Sequence, residues 1–208
     1  MKESKQQIQL VTADPSALGL FGLAIVTLAA SSQKLGWTDG TALLLPWAVF
    51  LGGAAQLFAA VQDAKHNNTF GSTAFGAFGL FWLGVGLTWL IQAGALGEAL
   101  HSAADPHQLG LAFAGYLIFS LFMTLGASET HKVLFIIFVL IDILFIGLTL
   151  TTFGIAPEFS HRLAGIAELG IALVSFYGSA AAVLNPHFGY VFLPIGKPFG
   201  WFKPKQVK

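Results

Sequence analysis

The chain has 208 residues, of which 55% are hydrophobic and only 10% are charged, and its ten basic and ten acidic residues leave no net charge at pH 7. With a mean hydropathy of +0.74, it cannot cover a soluble core with polar side chains, which excludes the soluble globular classes. The composition predicts an all-α membrane protein in a lipid bilayer. The chain has no cysteine, which excludes disulfides and thiolate metal sites.

The first fourteen residues are predicted to form a cytoplasmic N-terminal tail. Lys2, Glu3, Lys5 and several glutamines make this segment too polar for a cleavable signal peptide. We expect a six-helix transmembrane domain over residues 15–186 and a basic cytoplasmic tail over residues 187–208.

A motif, Asp-Pro-x-x-Leu-Gly-Leu, occurs at residues 14–20 and again at residues 105–111, and each copy begins an apolar segment. Three predicted spans lie from one copy to the next, so the copies enter the membrane from opposite sides, as in a 3+3 inverted-repeat transporter or channel. In each copy the Asp is expected to be the N-cap and the Pro the first helical residue, which leaves backbone N–H groups where a small anion can rest. The alternative is an ordinary helix start, since Asp-Pro opens many helices.

Six apolar runs are each close to the ~20 residues that cross the hydrocarbon core as a helix. They cover residues 18–35, 42–61, 75–95, 109–127, 133–152 and 163–184. The connections between them are short, so no second domain is predicted.

The distribution of Lys and Arg predicts a multi-pass protein of the cytoplasmic membrane with both termini in the cytoplasm. Only Lys34 and Arg162 then lie outside. The eight residues on the cytoplasmic side are Lys2, Lys5, Lys65, Lys132, Lys197, Lys203, Lys205 and Lys208.

Enzyme motifs are missing from the sequence. No G-x-x-x-x-G-K-[ST] loop is present, so transport by this chain would be passive or ion-coupled, and neither H-E-x-x-H nor G-x-S-x-G occurs. The six histidines fall in loops or at span ends, where a solvated role is expected rather than a metal site. We therefore expect no enzyme activity, no cofactor, no metal and no nucleic-acid partner.

The connection between the second and third spans sets uncharged polar side chains among glycines and aromatic residues. Gly52, Gly53 and Gln56 precede it, and Asn68 and Thr69 follow it. Such a lining can replace part of a small anion's hydration shell without the tight grip of a fixed cation.

These motifs resemble those of the acetate uptake transporters, a family that includes bacterial succinate–acetate permeases and fungal ammonia-export membrane proteins. The family's Asn-Pro-Ala-Pro-Leu-Gly-Leu is matched at residues 14–20, with Asp for Asn and Ala for the second Pro. Further matches lie at residues 52–56, 68–71, 121–123, 183–189 and 193–196. The resemblance implies a six-helix protomer, a conduit in each protomer of a homohexamer, and channel-like or proton-coupled passage of acetate and other short carboxylates, including succinate.

The resemblance also implies a conduit neck at Leu23, Phe78 and Ile141. The family has Phe, Tyr and Leu there, so in this chain the neck is wholly apolar, which predicts gating by wetting and side-chain motion. Core packing or a lipid-facing position is the alternative for each residue taken alone. The expected substrate contacts are Leu18, Gly19, Gln56, Asn68, Thr69 and Ser175.

Two acids, Asp142 and Glu168, lie inside apolar spans, where charge is costly and such residues are often functional. Glu168 lies seven residues before Ser175, so the two share a helix face. We expect Glu168 to be protonated, and to donate to a passing carboxylate or to carry a coupled proton. Asp142 points about 100° away from Ile141, which predicts a partner on a neighbouring helix or protomer. Both acids are candidates for proton coupling.

Two other functions stay open on the sequence alone. An apolar neck, with no positive residue in the spans apart from Lys34 at an edge, also fits an ammonia or neutral-solute channel. A non-transporting scaffold or signalling protein with a vestigial pore is the second alternative. Charge movement or competition by carboxylates would distinguish an anion conduit from both.

Overall fold

The structure of the protein, a computed structural model, describes residues 13–202, so the predicted tail residues 1–12 and 203–208 lie outside the described residues. Over the described range the six predicted transmembrane helices are present, which confirms the all-α membrane fold. They are α1 (Ser16–Lys34), α2 (Ala42–Lys65), α3 (Thr69–Gln92), α5 (Pro106–Ala127), α6 (Lys132–Thr152) and α7 (Pro157–Phe188), and a short helix α4 (Glu98–Ser102) joins α3 to α5.

Several helices extend beyond the apolar runs that predicted them, whereas α3 ends at Gln92, before its run does. α3 begins at Thr69 rather than at residue 75, and α7 is longer at both ends. Hydropathy marks the part of a helix that crosses hydrocarbon, whereas capping groups set its ends. The Asn68 side chain caps α3 by accepting from the Gly71 N–H at 3.1 Å, and Gly189, in the left-handed conformation, ends α7.

The two Asp-Pro motifs start α1 and α5 through equivalent contacts. Asp105 is the N-cap of α5, as predicted, and its Oδ1 accepts from the His107 N–H at 2.9 Å. This backbone hydrogen bond lowers the pKa of the Asp105 carboxyl. In the first copy the helix begins one residue later than expected, at Ser16, whose N–H donates to Asp14 Oδ1 at 2.9 Å. Each carboxylate therefore occupies the helix N-terminus that a bound anion would need. The inverted repeat stays a prediction.

The second span is irregular where the sequence predicted a plain helix. It begins with a 3-10 turn, winds as a π-helix over Ala48–Ala55 and then returns to α geometry. Two neighbours approach this π segment closely: Gly22 of α1 lies against the Leu51 carbonyl, and Gly52 lies against the Trp82 side chain of α3. Because neither glycine has room for a Cβ, both helices can pack directly on the π segment, a kind of winding that often marks a functional site.

Helix α7 packs against both α1 and α6, α5 packs on α6, and α3 packs on α2. α3 and α5 have few backbone contacts with each other, and aromatic side chains fill the space between them. We call the end of the bundle that holds Ser16 and Phe188 the terminal end, and the end that holds Lys34 and Pro157 the far end.

Replacing Gly22 by Ala is expected to destabilise the protein by about 1–3 kcal/mol, because the added methyl group would overlap the Leu51 carbonyl. Thermal unfolding followed by size-exclusion chromatography measures the change. Gly115→Ala is the matched control, since nothing lies within 4 Å of a Cβ at Gly115. Equal stability of the two variants would show that α1 and α2 do not need this close approach.

Candidate functional site

A cavity of about 230 Å³, the terminal cavity, opens at the terminal end of the bundle. Gln56 is 1% exposed in its wall, and its Nε2 donates to the Gly52 carbonyl at 2.9 Å. Asn68 Nδ2 donates to Asp63 Oδ1 at 2.9 Å, while Asp63 Oδ2 is buried without a hydrogen-bond partner in residues 13–202. The polar lining consists of Ser16, Gln56, Asp63, Asn68, Thr130 and His131.

His131 forms part of this wall and caps α6 at the same time. Its Nδ1 accepts from the Leu134 N–H at 3.1 Å, so this nitrogen carries no proton. Burial lowers the pKa of the His131 imidazole, and the nearby Asp14 carboxylate opposes this shift. Sequence reasoning missed Asp63 and His131 as cavity residues because it treated both as parts of connecting segments.

The predicted neck residues Leu23, Phe78 and Ile141 line this same cavity. They come from α1, α3 and α6, and all three belong to one buried apolar cluster. The structure thus brings together side chains that only the family resemblance had grouped. Their role as a constriction stays a prediction.

The Phe78 ring is surrounded by other aromatic rings. Its centroid lies 5.7 Å from that of Phe119, 5.9 Å from Phe138, 6.3 Å from Tyr116 and 6.4 Å from Phe145. Aromatic pairs at these separations attract each other beyond their area burial. Phe78 is therefore held at the end of the terminal cavity by contacts from α5 and α6.

The same rings connect the terminal cavity to a second one. Phe81, one turn further along α3, lies 5.0 Å from Tyr116, 5.3 Å from Phe145 and 6.1 Å from Phe113. Phe81 and Phe113 line the second cavity, whereas Phe78 lines the first. We call these rings the aromatic plug: Phe78, Phe81, Phe113, Tyr116, Phe119, Phe138 and Phe145.

The second cavity, of about 260 Å³, opens at the far end, and we call it the far cavity. Lys34 Nζ and Glu168 Oε2 form an ion pair of 2.9 Å in its wall, with side chains that are 12% and 2% exposed. His161 lies seven residues, or about two turns, before Glu168 on α7. It also lines the far cavity and interacts electrostatically with Lys34. The remaining polar lining is neutral and consists of Gln33, Thr88, Gln92 and Thr151.

Sequence reasoning missed this ion pair, because it treated Lys34 as a residue at the outer edge of the first span and Glu168 as a solitary acid. The two residues are 134 positions apart in the chain. One feature of the sequence could have indicated this contact, because both residues lie toward the same end of their helices. Lys34 ends α1 at the far end, and Glu168 lies in the part of α7 that is closest to the far end. Proton coupling by Glu168 stays a proposal, and any such mechanism has to include the ion pair with Lys34.

The second acid, Asp142, faces a neighbouring helix, as its offset from Ile141 predicts. Thr124 Oγ1 of α5 donates to Asp142 Oδ2 at 2.7 Å. Its other oxygen, Oδ1, is buried with no partner in the part of the chain that the structure describes. Asp142 thus ties α6 to α5 beside the plug and lines neither cavity.

Four predicted substrate contacts are not among the residues that line either cavity. Leu18 is 41% exposed, and Thr69 is exposed as well. Gly19 lies against the Phe75 ring. Ser175 is fully buried on α7, and its Oγ has no hydrogen-bond partner within residues 13–202.

Known proteins resemble this chain over most of its length. The model of the GPR1/FUN34/yaaH family matches residues 2–198. The succinate-acetate/proton symporter SatP of Escherichia coli (strain K12) is 32% identical over 185 residues, which cover 89% of this chain and 96% of SatP. Ammonia transport outward protein 2 of Saccharomyces cerevisiae is 26% identical over 185 residues, 87% of this chain and 65% of that protein. The structure of the bacterial acetate channel SatP matches with a TM-score of 0.82 at 31% identity, over 89% of this chain and 100% of that chain.

Protonation of His131 is expected to destabilise the start of α6, because a protonated Nδ1 cannot accept from the Leu134 N–H. The pKa is lowered in the folded protein, so stability is unaffected at high pH and falls as the pH drops below the ordinary histidine value of about 6.5. Between pH of about 7.5 and about 5.5, the wild type should lose about 1 kcal/mol more than His131→Asn, whose amide oxygen caps at every pH.

Chemical denaturation at each pH tests this expectation. His187→Asn, which changes an exposed histidine, should keep the wild-type dependence on pH. The same dependence in His131→Asn would contradict the cap assignment.

Proposed function

This chain belongs to the GPR1/FUN34/yaaH family, and on that basis we propose that it passes acetate and related short carboxylates, succinate among them, across the cytoplasmic membrane. The observation that carries the proposal is the pair of cavities at opposite ends of a six-helix bundle, separated by the aromatic plug. Each cavity is several times the ~30 Å³ that one water occupies in the liquid, so acetate, with four non-hydrogen atoms, fits in either.

Leu23, Phe78 and Ile141 form the neck in this proposal. An apolar constriction excludes water and hydrated ions while it is closed, and it opens when its side chains move apart. Phe78 is packed against four other rings, so opening requires a concerted shift of the aromatic plug rather than the rotation of one side chain.

Gln56 and Asn68 are the polar contacts for the carboxylate in the terminal cavity. A side-chain amide carries two N–H groups. Gln56 uses one of them on the Gly52 carbonyl and Asn68 uses one on Asp63, which leaves one donor on each side chain. No Lys or Arg is among the described residues that line this cavity, so binding is weak enough to let the substrate leave.

The terminal end of the bundle faces the cytoplasm in this proposal. Lys65, Lys132 and Lys197 lie near the terminal end, whereas Lys34 and Arg162 lie near the far end, which follows the positive-inside rule. We propose a homohexamer with one conduit in each protomer, as the family resemblance implies. Large apolar side chains are exposed on all six spans, and they provide the surface for lipid and for neighbouring protomers.

An ammonia or neutral-solute channel is the second candidate. The apolar plug favours it, because a small uncharged molecule passes such a neck more easily than an ion does. The relative named ammonia transport outward protein 2 fits this candidate. Competition by carboxylates distinguishes the two candidates. Excess carboxylate suppresses the passage of acetate and leaves the passage of ammonia unchanged.

Uptake of radiolabelled acetate into proteoliposomes tests the proposed function. Uptake above that of empty vesicles, suppressed by unlabelled formate or succinate, is the expected result. Uptake equal to that of empty vesicles would contradict the proposal, and ammonia-driven alkalinisation of the same vesicles would then favour the second candidate.

Replacing Phe78 by Leu is expected to raise acetate uptake several-fold and to admit bulkier carboxylates, because a smaller side chain leaves the plug partly open. Leu is preferred to Ala because truncation of a buried Phe to Ala costs about 3–5 kcal/mol. Phe58→Leu is the matched control, since Phe58 is 57% exposed on α2. Unchanged uptake in folded Phe78→Leu protein would exclude Phe78 from the neck.

A further inference from the structure

The Lys34–Glu168 pair is unusual because it lies in a cavity wall between two transmembrane helices. Its 2.9 Å contact joins α1 to α7, and Glu168 is 2% exposed. A buried ion pair adds little net stability, because desolvation of both charges offsets their attraction. Ionisable residues inside transmembrane segments usually serve function for the same reason.

The ammonium group of Lys34 can exchange partners without rearrangement of the bundle. The stem of Lys34 packs on Gly165 of α7, and the four-carbon side chain ends in the far cavity. The Lys34 side chain is 12% exposed and that of Glu168 is 2% exposed, so a solute in the cavity reaches Lys34 more easily than it reaches Glu168. A carboxylate solute has the same chemical group as the present partner of Lys34.

We propose that Lys34 is the carboxylate-binding residue of the far cavity and that Glu168 is its internal competitor, which takes up a proton when acetate displaces it. This inference rests on the proposed function and specifies how substrate and proton are bound together. A displaced Glu168 carboxylate would be a buried charge without a partner, and protonation removes that cost.

The exchange balances charge and atoms. Acetate forms a hydrogen bond with Lys34 Nζ, the Lys34–Glu168 bond breaks, and one proton from solution binds the Glu168 carboxylate. The acid then returns this proton to an acetate oxygen, so neutral acetic acid leaves Lys34 for the plug. The Glu168 carboxylate forms its bond with Lys34 again, and no net charge has entered the neck.

The groups around the pair allow this assignment. α7 contributes His161 and Glu168 to the far cavity, and α1 contributes Lys34. The described lining residues from α3, α5 and α6 are neutral. His161 is therefore the one other titratable group facing the pair among the described lining residues, seven residues before Glu168 on α7.

Proton uptake on acetate binding is the direct test. Purified full-length protein in detergent, weakly buffered at pH of about 7 with a pH indicator, receives sodium acetate adjusted to the same pH, and tryptophan fluorescence reports binding because Trp82 and Trp89 line the far cavity. The wild type is expected to take up about one proton per bound acetate. Acetamide, which has the shape of acetate without its charge, should cause no proton uptake.

Three variants of the pair, with one control, separate the roles of the two residues. Glu168→Gln should bind acetate about tenfold more tightly, since the competitor for Lys34 is gone, and should take up no proton. Lys34→Gln should bind about tenfold more weakly. Glu158→Gln, an exposed change on the same helix, should match the wild type. The double variant Lys34→Gln/Glu168→Gln keeps the pair neutral if Lys34→Gln alone does not fold, and it should bind weakly without proton uptake.

The outcomes distinguish this inference from the proposed function. Acetate binding by the wild type without proton uptake, or proton uptake that persists in Glu168→Gln, would overturn the inference and leave the proposed function standing. A wild type that neither binds acetate nor takes it up into vesicles would overturn the proposed function itself.

Discussion

The cost of charge in a membrane interior governs the arrangement of this bundle. Three acids lie buried between its helices, and each has a hydrogen-bond donor from another helix or its cap: Glu168 bonds Lys34, Asp142 bonds Thr124, and Asp63 bonds Asn68. Glu168 joins α7 to α1, where Ser179 Oγ also donates to the Ala17 carbonyl at 2.7 Å, and Asp142 joins α6 to α5. The requirement that keeps the acids paired therefore contributes to how α1 meets α7 and how α5 meets α6.

The aromatic plug contrasts with these polar pairs, because its surface is apolar. Charged and polar groups line the two cavities, while the plug between them is formed by rings that donate no hydrogen bond to a solute, apart from Tyr116, whose hydroxyl is used on the Ala77 carbonyl. A carboxylate that enters either cavity therefore meets donors first and hydrocarbon afterwards. Passage through the plug is favourable only if the charge is neutralised before the neck, which is the step that a lysine–glutamate pair at its edge can perform.

Part of this arrangement could be predicted from the sequence. Hydropathy gave the six spans, and the Asp-Pro motif gave the cap of α5, because both depend on local patterns. The family resemblance grouped Leu23, Phe78 and Ile141, and the structure places them in one cavity wall. The Lys34–Glu168 contact depends on how two helices at opposite ends of the chain pack against each other, which no local pattern encodes. The π segment of α2 likewise lies at tight tertiary contacts, with Gly22 of α1 and Trp82 of α3 packed against it, which no local pattern encodes.

The most direct measurement is the effect of membrane potential on acetate movement. Proteoliposomes are loaded with potassium, a potential of either sign is set with valinomycin, and acetate uptake above empty vesicles is recorded with and without an inward proton gradient. If acetate crosses the plug as the neutral acid, uptake will respond to the proton gradient and will be the same at both potentials. Uptake that follows the potential and ignores the proton gradient would mean that the anion itself crosses, and it would contradict the account of a charge-excluding plug.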